Sequence, residues 1–521
     1  MDLSVNLNIR HFLLGAGSTF LQIAVSSISL LVLYKLLIGI VGVAHLGVWS
    51  LILAASSFVH LANSGLTGGV VTHIADLEAK GLRASTVRSI QTAALSMGVF
   101  GLVLVIVCYP IARQYLSFTL TEENRAIAME ILPLGLAAFW IYTITGVYQA
   151  GLYGCQLIVR RNGLLMIESL THLILCVTLA TRFGLLGLVY ARVIQNMLTL
   201  GFTIFALRRH LLEMPIIPLV WDRTLFRLQA REAGNFQLVS LLTILADPLT
   251  KGLLSSFGSV TWVGYYEMAN KLVQQLRSII VGVNQMLVPM FAQLKALDPQ
   301  KVQHVYQRSY ELTCYFAFPS FTLLGISAPL ICTIWIGHYE PIFVAAVAIL
   351  SVGWLFSTLS APAYFALMGT GHMHVNLHAH IAMTVMNVSF ALVLGTTMGG
   401  IGVIMAWTLT LCMTALLVNI LYAKKSRRAI KLTEFLPKTS HGLVLACFMS
   451  AIGSCLIYFT QIGISVLDFH PSSGTAQLPF MLIGMIAAAI SIGLISVPFW
   501  KHPARSQLNV WLAQMGSKRT G

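Results

Sequence analysis

From one end to the other, this chain repeats apolar stretches of about twenty residues with few charges among them. Such a stretch, wound as a helix, crosses the ~30 Å hydrocarbon core of a bilayer. Lipid offers the backbone no hydrogen-bond partners, so only helices or closed barrels cross it, and runs this long and this apolar predict helices. Fourteen spans are predicted, near 13–36, 47–74, 89–112, 127–152, 163–181, 184–207, 234–256, 262–292, 309–335, 341–369, 374–397, 399–422, 441–461 and 479–499. Only 9% of the 521 residues are charged and 57% are hydrophobic. A soluble domain carries roughly a quarter charged residues, so an ordinary soluble fold is excluded and an all-α polytopic membrane protein is expected.

The net charge of +15 does not point to nucleic acid, because it sits in short loops between apolar segments. One set of loops holds Lys80, Arg83, Arg88, Arg160, Arg161, Arg208, Arg209, Arg223, Arg227 and Arg231. The same side continues through Lys295, Lys301, Arg308, Lys424, Lys425, Arg427, Arg428, Lys431 and Lys438 to Lys501, Arg505, Lys518 and Arg519. The opposite loops hold Arg113, Arg125 and Arg182. The positive-inside rule then places both termini in the cytoplasm. Arg10 and His11 precede a long first segment without a small-residue cleavage site, so a removable signal peptide is not expected.

The chain also resembles itself. Leu46-Gly47-Val48-Trp49 is echoed 217 residues on by Val263-Gly264-Tyr265-Tyr266. Leu152-x-Gly154 is echoed by Leu367-x-Gly369, and Gly184-x-x-Gly187-x-x-x-Ala191 by Gly399-x-x-Gly402-x-x-x-Ala406, both at an offset of 215. Repeats of this kind build transporters from two lobes with a substrate site near the membrane midplane. The expected organisation is an N-lobe (1–207), a cytoplasmic linker (208–233), a C-lobe (234–423), a second linker (424–440), a further helix pair (441–499) and a cytoplasmic tail (500–521). Six spans per copy give both lobes one orientation, so a pseudo-two-fold axis along the membrane normal is expected.

Charges within the spans are the candidate site, since each costs about 2.5–3.5 kcal/mol at the bilayer centre unless paired or hydrated. They are Lys35, Glu168, Arg192, Asp247, Lys251, Glu267, Lys271 and Arg277. Lys35 and Lys251 fall near span ends, where they either snorkel to the interface or line a cavity. Glu267 and Lys271 stand four apart, the spacing of a helical ion pair, and Asp247 can pair with Lys251 in the same way. Arg192 and Arg277 have no acid at i±3 or i±4. Five cations against three acids predict a cationic cavity suited to a phosphate or carboxylate head group, for which the planar guanidinium fork is well shaped. Asp247 precedes a helix-kinking Pro248, so Asp247, Glu168 and Glu267 are candidates for coupling to H+ or Na+.

Other features read as structural. His372, His374, His378 and His380 cluster at a helix end with no Cys, Asp or Glu beside them, so interfacial polar residues are expected rather than a metal site. The eight cysteines have no metal or redox spacing. Gly65, Gly68 and Gly69 suit close helix packing. No catalytic constellation or nucleotide-binding loop is present, so neither an enzyme nor an ATP-driven pump is expected, and no cofactor.

Several stretches together resemble the polysaccharide-flippase (Wzx-type) branch of the multidrug/oligosaccharidyl-lipid/polysaccharide exporter superfamily. They are Leu46 to Leu51, Leu61-Ala62-Asn63-Ser64-Gly65-Leu66, Gln149-Ala150-x-Leu152-x-Gly154-x-Gln156 and Asp247-x-x-x-Lys251. Val263 to Tyr266, Leu367-x-Gly369-x-Gly371, Asn387 and Gly399-x-x-Gly402 complete the set. The resemblance implies a two-lobed, fourteen-helix fold in the bacterial inner membrane. It implies transfer of undecaprenyl-pyrophosphate-linked oligosaccharide, such as an O-antigen unit, to the periplasmic leaflet, with polysaccharide polymerase or chain-length machinery as partners. Asn63 and His372 depart from the family, whose members often carry an acid and a base there. A drug/cation antiporter of the same superfamily and a membrane glycosyltransferase or polymerase remain as alternatives. A peptidoglycan-precursor flippase does too, although the first helix lacks the arginines expected of one.

Overall fold

The computed structural model describes residues 9–56, 70–71, 73–78, 80–285, 287–297, 299–426, 437–467 and 477–505, and the described residues contain no strand. The helices are α1 (Ile9–Ser56), α2 (Arg83–Thr119), α3 (Glu122–Gly154), α4 (Ile158–Arg208), α5 (Arg223–Phe257), α6 (Val260–Gln285) and α7 (Val288–Leu297). They continue as α8 (Pro299–Ile326), α9 (Ala328–Ile336), α10 (Pro341–Leu359), α11 (Ala361–Gly369), α12 (Met373–Lys425), α13 (His441–Leu467) and α14 (Gln477–Lys501). A short unlabelled helical stretch occupies 73–78. The stretch with Asn63, Gly65, Gly68 and Gly69, and the tail with Lys518 and Arg519, lie outside the described residues.

Eight helical segments among the described residues are long and apolar enough to cross a membrane, or nine if the bent pair Lys301–Ile326 and Ala328–Ile336 counts as one more. α6 is not one of them, since charges (Glu267, Lys271, Arg277) and amides (Asn270, Gln274, Gln275, Asn284, Gln285) interrupt it. Some of the eight are double. At 1.5 Å per residue, 51 residues of α4 would extend about 77 Å, far beyond one bilayer. Gly184, at φ 56° and ψ −129°, breaks α4 in a region that glycine alone enters readily. The halves double back so closely that a Cβ on Gly187 would strike the Leu179 carbonyl.

The same construction recurs 215 residues later. Gly399 (φ 63°, ψ −143°) breaks the 53-residue α12, and a Cβ on Gly402 would strike the Leu394 carbonyl. The spans expected to be joined only by tight turns are therefore pairs of helices that meet at a single glycine. The turns that follow α3 and α11 match as well. Leu157 N–H donates to Leu152 O and His372 N–H to Leu367 O, with Gln156 (φ 57°) and Gly371 (φ 74°) in the left-handed region. Gly47 and Gly264 are reciprocal: a Cβ on the first would meet the Val260 carbonyl, and on the second the Val43 carbonyl. The internal repeat is thus a repeat of backbone geometry.

By contact the chain divides into two compact units, Met1–Gly264 and Tyr265–Gly521. In the first, α4 packs along α1 and α3, and α2 on α3. Asn162 Nδ2 donates to Ser18 Oγ and Thr19 Oγ1, each at 2.9 Å, and Ser26 meets Ser169 at 2.7 Å. These small polar bonds tie α1 to α4 where little water would compete. α5 lies on α1 and α2, with Tyr115 donating its hydroxyl to Pro248 O at 2.7 Å. In the second unit α12 packs on α10 and α11. α13 and α14 pack on α8 around Tyr315, Leu443, Cys447 and Ile495. The outer surfaces are apolar, with Phe20, Ile106, Val385 and Leu456 all exposed. A surface of this kind belongs in lipid.

Candidate functional site

The local ion pairs form as the spacing predicts. Lys251 Nζ lies 2.7 Å from Asp247 Oδ2 and Lys271 Nζ 3.7 Å from Glu267 Oε1. Burial is lopsided in each pair. Lys251 and Glu267 are almost wholly buried, at 3% and 2% exposure, while their partners are substantially exposed. Each pair therefore anchors one charge inside its unit and leaves the other at the surface. Lys35 is exposed on α1.

Arg192 has no acid at helical spacing; its Nη1 donates to Gln195 Oε1 at 3.2 Å, one turn on, and its guanidinium lies 5.8 Å from the centroid of the Tyr142 ring. The fold at Gly184 also returns the first half of α4 alongside the second, which places Glu168 in the electrostatic reach of Arg192, while Arg161 lies two turns before it on its own half. Glu168 approaches Gln149 and Gln195 closely enough for weak hydrogen bonds. Its Oε2 and Gln149 Nε2 nevertheless stop short of good hydrogen-bond geometry, although both are buried. His172 and Tyr142 share this neighbourhood. The first unit thus holds a polar nest of Tyr142, Gln149, Glu168, His172, Arg192 and Gln195 inside an otherwise apolar bundle.

The second unit has a counterpart around Arg277. Its guanidinium lies 5.1 Å from the Trp354 ring centroid, and Trp354 Nε1 donates to Asn270 Oδ1 at 2.9 Å. Tyr364 and His380 meet edge-to-face at 6.0 Å, and both feel the Arg277 charge. Arg277 Nε is buried with no hydrogen-bond partner among the described residues. A charged donor left without a partner in such surroundings is costly and is disposed to donate to an anionic oxygen. In both units a guanidinium thus rests against an aromatic face, a cation–π contact that holds it without consuming its hydrogen-bond fork.

Sequence reasoning named both arginines and met Gln149 only within a resemblance motif, but missed Tyr142, Gln195, Asn270, Trp354 and Tyr364. Aromatic and amide residues in apolar helices carry no signal of their own, and only the contacts single these out. The histidine cluster scatters: His372 meets His374 at 6.0 Å, while His380 turns toward Tyr364.

Solved structures of membrane transporters share this all-helical fold at less than a fifth sequence identity. A lipid II flippase MurJ in an inward closed conformation matches 92% of this chain and 98% of its own, with TM-score 0.65 and 14% identity. An inward-facing multidrug resistance MATE family transporter of the MOP superfamily matches 76% of this chain and 94% of its own, with TM-score 0.65 and 18% identity. A MOP superfamily transporter from Pyrococcus furiosus, described as having a binding pocket of reversed polarity, matches 80% and 94%, with TM-score 0.53 and 16% identity. No curated protein matches the chain by sequence. Residues 36–342 match the family model described as polysaccharide biosynthesis protein, and the chain belongs to that family.

Proposed function

We propose that this protein is a flippase that carries a lipid-linked oligosaccharide, joined to its polyprenyl lipid through pyrophosphate, from the cytoplasmic to the outer leaflet of the bacterial inner membrane. Membership in the polysaccharide biosynthesis family carries the proposal, and the guanidinium groups supply the chemistry. Arg192 and Arg277 are offered to the phosphates, each braced by an aromatic ring. Lys35 adds a further positive charge, and Lys251 and Lys271 are candidate head-group contacts held in ion pairs. The prenyl tail stays in lipid while the head group moves by alternating exposure to the two faces. Glu168 is the best-placed coupling group, because its buried carboxylate is not fully satisfied. Asp247 and Glu267 already serve lysines. The fourteen-span, two-lobe organisation and cytoplasmic termini expected from the sequence are part of this proposal.

Deletion of the gene, followed by analysis of surface polysaccharide and lipid-linked intermediates, tests it. The expected result is loss of surface polymer, with single saccharide units accumulating on their pyrophosphate lipid at the cytoplasmic face. Unchanged polymer and intermediates, with heightened sensitivity to cationic drugs, would replace the flippase by a drug antiporter.

A further inference from the structure

Apart from the arginine nests, three potential metal ligands converge within the first unit. Glu78 comes from the 73–78 helix, Cys155 from the turn that ends α3, and His210 from the segment just past α4. One ligand atom of each lies within 4.8 Å of the other two. His210 Nε2 and Glu78 Oε1 are 2.9 Å apart. The second carboxylate oxygen, Glu78 Oε2, is buried and has no hydrogen-bond partner among the described residues. Cys155 is buried and forms no disulfide.

The repeat shows that this junction does not need these side chains. At the offsets that relate the two copies, Lys295 replaces Glu78, Thr370 replaces Cys155 and Lys425 replaces His210. There the same turn is held by Lys295 Nζ donating to Thr370 O at 2.6 Å, and the left-handed position is filled by Gly371. The first copy instead holds Gln156 at φ 57°, a conformation that a residue with a side chain seldom adopts. One backbone scaffold thus carries lysines in one copy and a carboxylate, a thiol and an imidazole in the other. Packing alone explains the scaffold but does not select that donor set.

We propose that Glu78, Cys155 and His210 form a binding site for a zinc-class divalent cation, which ties the start of the linker after α4 to the ends of α3 and the 73–78 helix. One sulfur, one imidazole nitrogen and a carboxylate suit a borderline-soft ion such as Zn²⁺. Mg²⁺ and Ca²⁺ prefer all-oxygen shells. With bonds of about 2.0–2.3 Å, tetrahedral ligands stand roughly 3.3–3.6 Å apart, so the 2.9 Å His210–Glu78 contact opens by a few tenths of an ångström. A water fills the fourth position. Burial and the Glu78 charge push the Cys155 thiol up to about 12, so the metal-free thiol is protonated and loses its proton when the ion binds. The flanking loops, with Lys80, Arg160, Arg161, Arg208 and Arg209, are those expected in the cytoplasm, where the thiol stays reduced.

The test is titration of the reduced, metal-stripped, tag-free full-length protein in detergent with Co²⁺ as a spectroscopic stand-in for Zn²⁺. The expected result is a thiolate-to-cobalt charge-transfer band that saturates at one equivalent and is displaced by Zn²⁺. Cys155→Ser abolishes the band, whereas Cys176→Ser, at a separate buried thiol, keeps it. Glu78→Gln and His210→Gln keep the thiol and weaken binding tenfold or more, which gives a readout should the cysteine variant not fold. No saturable band, a band that survives Cys155→Ser, or unchanged affinity in both remaining variants would reduce the cluster to a hydrogen-bonded Glu–His pair beside an inert thiol.

Discussion

Replacing Arg277 probes the proposed head-group contact most directly. Its guanidinium is held against Trp354 at 5.1 Å, and its Nε lacks a partner among the described residues. A phosphate oxygen arriving there gains a charge-assisted bond without displacing an existing one at that nitrogen. Such bonds contribute about 1.5–3 kcal/mol, and 1.4 kcal/mol is a factor of ten. Arg277→Ala should therefore lower flipping by roughly 10- to 150-fold. Arg277→Lys keeps the charge but loses the fork and should fall between alanine and wild type. Trp354→Phe keeps an aromatic face while losing the bond to Asn270, and should cost less than either. The assay is transfer of lipid-linked saccharide in vesicles containing equal amounts of folded protein. Wild-type rates in both Arg277 variants would refute the reasoning, because a group that contacts the head in transit cannot be dispensable.

Three further outcomes are expected. Gly402→Ala drives a methyl into the Leu394 carbonyl and should destabilise the folded protein by about 1–3 kcal/mol or prevent its folding; Gly187→Ala should behave alike, and Gly201→Ala, with open space around it, should not, as read by thermal unfolding in detergent. Asp247→Asn takes the carboxylate from the buried Lys251 ammonium 2.7 Å away; since Asp247 is partly exposed, a loss of roughly 1–3 kcal/mol is expected, and an unchanged melting temperature would show that the pair contributes nothing. Burial, then Lys425, Lys295 and His374, hold His372 below the usual histidine range. Its neutral form is favoured in the folded state, so its contribution is intact above about pH 6.5 and is lost as pH falls toward the lower folded value. Melting temperatures at pH 5 and pH 8 should therefore converge in His372→Gln.

Some of the candidate site was legible in the sequence because some of its contacts are local. The Asp247–Lys251 and Glu267–Lys271 pairs follow from a spacing of four on a helix, which fixes their proximity whatever the helix packs against. Arg192 and Arg277 were legible only as anomalies, charges standing where lipid-soluble residues belong. What surrounds them was not. Tyr142 is 50 residues from Arg192 and Trp354 is 77 from Arg277, and no periodicity records which face of one helix meets which face of another.

By itself, then, the sequence determined the solvent, the helical backbone and the twofold internal echo. Each depends on properties that add along the chain: twenty apolar residues per crossing, and glycines wherever the backbone must bend back or approach a carbonyl. Only the tertiary structure decided which distant groups share a site. The break at Gly184 brings Glu168 beside Arg192, and the junction at the ends of α3 and α4 gathers Glu78, Cys155 and His210 from positions 78, 155 and 210. Helix rotation and packing set those meetings, and they depend on the whole set of contacting side chains at once rather than on any segment read alone.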